Sequence, residues 1–102
     1  MTEEEQKYIE TGRYINGAIE SQMFGKPCFK IKGKAFIRFF NNSMVFKLTG
    51  IVHTRAMSMP GAQLFDPSGK NRPMKEWIEM SFAHSAKWLG LVIESQNYVN
   101  QI

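Results

Sequence analysis

The stretch CFKIKGKAFIRFFNNSMVFKL, residues 28–48, packs three β-prone runs and two tight-turn signals into one short segment. Cys28–Ile31 is followed by Gly33, Ala35–Phe40 by Asn41-Asn42, and Ser43–Leu48 closes the set. Runs of this length, rich in Phe, Ile and Val and bounded by Gly or Asn, read as a three-stranded antiparallel meander. Asn-Asn suits a turn that needs positive φ, a region Asn tolerates best after Gly. Within the runs, Ala35, Ile37 and Phe39 alternate against Phe36, Arg38 and Phe40. Met44, Phe46 and Leu48 alternate against Ser43, Val45 and Lys47. One face of the meander is therefore apolar and the other mixed.

Upstream, Thr2-Glu3-Glu4-Glu5 reads as a capping box: the hydroxyl accepts from an early helix N–H and Glu5 reaches back. Acid in the first turn also favours the helix dipole. A stripe of Tyr8, Ile15 and Ile19 at helical spacing carries the helix toward its stop before Gly25 and Pro27. Gly12 and Gly17 weaken that helix, so it must be held by packing, with close approach to the sheet as the reason for glycine. Downstream, residues 50–59 form a short helix stopped by Pro60-Gly61, Gln63–Phe65 a brief strand, and Asp66-Pro67-Ser68-Gly69 a turn. Glu76–Ser81 is a fifth strand. Ser85 to about Val99 is a helix presenting Trp88, Leu91, Val92, Ser95 and Val99 on one face. The order α-β-β-β-α-β-β-α predicts an α+β fold: a two-layer sandwich in which a curved antiparallel sheet of about five strands is packed by helices.

A chain of 102 residues supports one core, so residues 1–102 are expected to be a single domain. No apolar run is long enough to cross a bilayer. The acidic start MTEEEQKYIE is the opposite of a signal peptide, and the lone Cys28 forms no intrachain disulfide. Together these point to a cytoplasmic protein. The net charge of +4 is unevenly spread: residues 1–24 are acidic, whereas residues 25–47 hold Lys26, Lys30, Lys32, Lys34, Arg38 and Lys47 with no acid. The basic character belongs to that one region.

Certain short motifs recur in a recognisable order. Met23-Phe24-Gly25 closes the first helix, Gly33-Lys34-Ala35-Phe36 opens a strand, and Phe46-Lys47-Leu48 ends the next. Pro60-Gly61 leads to Phe65-Asp66-Pro67, then to Arg72-Pro73-Met74-Lys75-Glu76-Trp77, and the Trp88 helix ends near Tyr98-Val99. In that order and spacing, over roughly residues 10–99, the chain resembles the TfoX N-terminal-domain family and, more distantly, MmcQ/YjbR-type domains. The resemblance implies a two-layer fold of the secretion-chaperone-like kind and a regulatory, non-catalytic role. It brings no catalytic residues with it.

The residues themselves offer little catalytic chemistry. Cys28 lacks an oriented base, because neither His53 nor His84 has an identifiable carboxylate partner. No second ligand stands at metal spacing from either histidine, and both are expected on a helix surface or at a cap. Asp66, before Pro67, reads as a turn former. Glu76 and Glu79, three apart on a strand, point to opposite faces, and Glu76 is expected to pair with Arg72 or Lys75. GKPCFKIKGK lacks the Ser/Thr and the strand–loop–helix setting of a phosphate loop. No catalytic residue, cofactor or metal is assigned.

Binding is what remains. Lys30, Lys32, Lys34, Arg38 and Lys47 interleave with Phe36 and Phe40, a charge-plus-stacking pattern suited to single-stranded nucleic acid. Alternatively, Phe36, Phe40, Val45, the MSMP stretch and Trp77 form an apolar patch for a protein partner or a homodimer. Arg72 and Lys75 around Trp77 complete the candidate surface. The sequence thus predicts a small domain that acts by binding another macromolecule or itself, with nucleic acid as the alternative partner.

Overall fold

The computed structural model describes residues 1–102. Helix α1 runs Glu3–Tyr14, and the Thr2 hydroxyl caps it by accepting from the Glu5 N–H at 3.0 Å. Strands β1 (Ile19–Met23), β2 (Lys26–Ile31), β3 (Lys34–Phe40) and β4 (Ser43–Lys47) follow, then α2 (Gly50–Met57), β5 (Gln63–Phe65) and β6 (Met74–Met80). A single 3-10 turn, Phe82–His84, leads into α3 (Ser85–Val99).

The α+β class holds, with one strand more than expected. Residues 19–23, assigned above to the end of the first helix, are strand β1. Helix α1 stops at Tyr14, and Gly17, at φ 87°, turns the chain into the sheet. Ile19, which the helical stripe placed inward, is 67% exposed; Ile15, just past the helix end, takes the buried place. The expected helix failed because a glycine with positive φ is a stop signal in this setting.

All six strands are antiparallel, in the spatial order β1-β2-β3-β4-β6-β5. Three successive two-residue turns build the first four strands: Phe24-Gly25, Lys32-Gly33 and Asn41-Asn42, each with both φ values positive. That is the type I′ geometry whose twist matches the flanking strands. Between β2 and β3 the register slips at Phe29/Lys30, so that Phe36 is an extra residue on β3. The slip overturns the simple alternation read from sequence. Phe36 joins Ile37 on the helix side, and Ala35 moves to the other face.

The three helices lie on one face. Its core joins Tyr8 and Ile15 with Phe29, Ile37, Met44, Phe46, Ile78 and Met80 of the sheet, and with Trp88, Leu91 and Val92 of α3. The buried stripe of α3 is Trp88, Leu91, Val92, Ser95 and Val99, as its periodicity predicts. Tyr8 stacks on Phe39 at 5.1 Å and meets Phe29 edge-on at 5.3 Å. Gly12 brings α1 down on Phe29: a Cβ there would lie under 3.0 Å from the ring. Close approach to the sheet is therefore why this position is glycine. No helix is long and apolar enough to cross a membrane.

Candidate functional site

The sheet face away from the helices holds the unusual chemistry. The strand register lines up Ser21, Cys28, Arg38, Val45, Glu79 and Gln63 as one row across all six strands. Beside this row, Val45, Phe65 and Trp77 form a second apolar cluster, with Ala35, Phe40 and Met74 packed against it. The loop between β5 and β6 shelters part of this face. Asp66 shapes that loop: Oδ1 accepts from the Ser68 N–H, the Ser68 hydroxyl and the Gly69 N–H, and Oδ2 from the Arg72 N–H. The Ser68 hydroxyl and these backbone donors hold its carboxyl below the usual range. The turn role read from Asp66-Pro67 is what the structure contains.

Arg38 is the centre of the face. It is only 4% exposed, yet the molecule's single ion pair is Arg13–Glu20, at 2.8 Å on the surface. Its guanidinium lies 4.7 Å from the Phe65 ring centroid and 5.5 Å from that of Trp77, and Nη1 is 3.9 Å from Met74 Sδ. Buried charges are ordinarily paired, so two aromatic faces and a thioether are unusual company for an arginine. Burial lowers its pKa, with the Cys28 thiol opposing, but a guanidinium stays protonated in a protein. The nearest acid in its row is Glu79, beyond Val45. Burial pushes the Glu79 carboxyl up, and Gln63 pulls it back.

Arg38 also lines a cleft of about 390 Å³ with Phe24, Lys26, Phe40, Pro67, Ser68 and Met74. The cleft lies between the β1–β2 turn and the β5–β6 loop, and its lining holds two cations and no acid. Phe24 is 88% exposed at φ 53°. The positive φ is what the type I′ turn requires of this position, as it does of Lys32 in the next turn; what is unusual is a large aromatic ring left so exposed. A second cleft of about 360 Å³, between α2 and α3, presents Arg55 and Lys87 with Glu94, so its charge is mixed.

The basic residues named from sequence are not one surface. Lys30, Arg38 and Lys47 belong to the helix-free side, where the Lys47 ammonium lies 5.9 Å from the Trp77 ring centroid. Lys32 and Lys34 sit at the β2–β3 turn, and the Lys34 ammonium donates to the Ile102 carbonyl. Phe36 cannot stack on a base, because it is wholly buried on the helix side. The expected apolar patch is likewise closed: Val45 is fully buried and Trp77 is 7% exposed. Trp77 is flanked by Arg38 and Lys47; Arg72 and Lys75 are exposed and make no cation–π contact with it.

The other candidates have structural partners. Cys28 is 1% exposed, and burial pushes its thiol up while Lys30, Arg38 and Ser21 pull it down. The His53 Nε2 meets the Lys75 carbonyl at 2.8 Å and the His84 Nε2 the Pro60 carbonyl at 2.6 Å, each joining two segments. Glu76 accepts from the Tyr98 hydroxyl instead of pairing with Arg72 or Lys75. No three His, Cys, Asp or Glu side chains converge. What sequence reasoning missed is that Arg38 is buried: its neighbours in the chain present it as one more surface cation. The one available signal was its place in a strongly apolar run, between Ile37 and Phe39 and two residues from Phe36 and Phe40. Compared with family models, curated proteins and solved structures, the chain matches none.

Proposed function

We propose that this chain is a non-catalytic binding domain of the TfoX N-terminal type. It engages another macromolecule through the helix-free face of its sheet, in a cytoplasmic setting. The observation that carries this reading is the concentration of charge there: Lys26, Lys30, Arg38 and Lys47 surround an aromatic cluster that no helix covers. Such a face suits an anionic protein surface, because opposite potentials steer encounter and fix register. Against nucleic acid as first partner, Phe65 and Trp77 are too buried to stack on bases.

The test replaces Lys30 and Lys47 together by Glu and follows capture of the partner by the purified domain, with circular dichroism as the check on folding. Loss of capture by a folded variant supports the reading, and unchanged capture overturns it. Light scattering of the same samples reports self-association. The basic turn favours nucleic acid as a second reading: Lys32 and Lys34 are both exposed at the β2–β3 turn, Lys34 beside the Ile102 carbonyl. In that case oligonucleotide binding falls steeply with salt, and Lys32→Glu with Lys34→Glu abolishes it. An apolar contact would instead hold or strengthen.

A further inference from the structure

We infer that the cleft between the β1–β2 turn and the β5–β6 loop binds a phosphate monoester carried on a flat apolar group, with Arg38 and Lys26 taking the phosphate and Phe24 the ring. This deepens the preceding reading and rests on it for the choice of face. Three observations support it. Arg38 is a buried guanidinium without a carboxylate, held in place by Phe65 and Trp77, so its planar fork is pre-organised and its charge unanswered. Lys26 adds a second cation to a cleft with no acid in its lining. A phosphate monoester, of charge about −1.5 to −2 at neutral pH, balances the two better than a single carboxylate does. Asp66, close by in sequence, has both oxygens committed to its own loop.

The third observation is Phe24. It lines the cleft at the first position of the β1–β2 turn, and its ring is almost fully exposed. An aromatic ring this exposed, at the rim of a concave site, is available to a ligand. With Phe40 and Met74 it makes the apolar wall against which a ring would lie. A volume of about 390 Å³ lies within the usual range of small-ligand sites.

The probe is phenyl phosphate, titrated calorimetrically into the full chain, with benzyl alcohol and inorganic phosphate as single-feature controls. Phenyl phosphate should bind more tightly than either control. Arg38→Gln should weaken it about tenfold or more, since a charge-assisted bidentate contact is lost, and Arg38→Lys by less. Should Arg38→Gln not fold, the exposed Lys26→Ala and Phe24→Ala carry the test, each expected to weaken binding several-fold at unchanged Tm. Absence of binding up to about 10 mM, where even a weak site of Kd about 1 mM would show, overturns the inference. So does binding that Lys26→Ala and Phe24→Ala leave untouched. Nucleoside 5′-monophosphates and a phosphotyrosyl peptide then separate a free small molecule from a modified side chain, and tighter binding of either supports the site. If partner capture persists and still depends on Lys30 and Lys47 while phenyl phosphate fails, the cleft assignment alone falls.

Discussion

Replacing glycine by alanine should have opposite signs at two helical positions of this molecule. At Gly90, inside α3, an added Cβ meets nothing within 4 Å. The substitution there should therefore express helix propensity alone and stabilise the fold by about 0.5–1 kcal/mol. At Gly12 the same propensity gain is available in part, since the residue lies in the last turn of α1. The new methyl group, however, would lie under 3.0 Å from three atoms of the Phe29 ring. Phe29 is 1% exposed and braced edge-on by Tyr8, so the ring has nowhere to swing. Overpacking of this kind costs about 1–3 kcal/mol. Gly12→Ala should therefore be net destabilising by about 1–2 kcal/mol once the propensity gain is subtracted. For a domain of this size that lowers Tm by about 4–15 °C. Urea and thermal unfolding of both single variants measure the pair. Combining Gly12→Ala with Phe29→Leu, which opens space, should recover part of the loss as a coupling of about 1 kcal/mol. A Gly12→Ala protein as stable as the parent would refute the claim that close approach explains this glycine.

Further outcomes follow from contacts already described. Thr2→Ala removes the hydroxyl that caps α1 and should reduce stability by about 1 kcal/mol, read by urea midpoint; Thr2→Asp should retain most of it. Asp66 has a folded pKa below its unfolded value, so its contribution is complete above about pH 4 and is lost as pH falls through the lower folded value. Asp66→Asn should accordingly flatten the acid limb of the stability–pH curve. Glu79 has the opposite sign: its carboxyl is raised by burial, so its ionisation disfavours the fold as pH rises from the unfolded value through the folded one. Glu79→Gln should therefore gain stability at neutral pH, and a loss there would show that the carboxylate is paired. Cys28 should react with a thiol reagent far more slowly than a free thiol at neutral pH, and at the free rate in denaturant, because it is both buried and raised in pKa.

Much of the architecture was readable where periodicity and turn chemistry agreed. The five inward residues of α3, the Asn41-Asn42 turn and the Thr2 cap depend on local rules, and the fold obeys them. Strand β1 was not readable, because IESQM carries no strong β signal and gains its place only by pairing with β2. The Phe36 bulge was hidden for a related reason: a run of FIRFF satisfies either register, and tertiary packing chooses. The site was less legible still. Charge along the chain showed where cations were numerous, but it could not show that Arg38 alone loses its water while Lys32 and Lys34 keep theirs. Burial of a polar group on a sheet is decided by what crosses above it. Here that is Phe65 of β5 with Trp77 and Met74 of β6, all distant in sequence from β3.

The strand order has a consequence in time. Strands β1 to β4 are joined by two-residue turns, so each pairing closes almost no loop, and hairpins of this kind form within about 1–10 μs. Strand β6 reaches β4 only after the chain has travelled through α2 and β5, residues 48–73, and α3 must then cross back over β3 and β4. That seam closes the longest loop of the sheet, so the folding barrier is expected there. Weakening the β1–β2 pairing or Phe46 against Ile78 should slow folding, whereas weakening the β5–β6 pairing should chiefly speed unfolding. On this expectation an N-terminal four-strand ribbon assembles early, and the Phe65 and Trp77 rings that cover Arg38 arrive among the last.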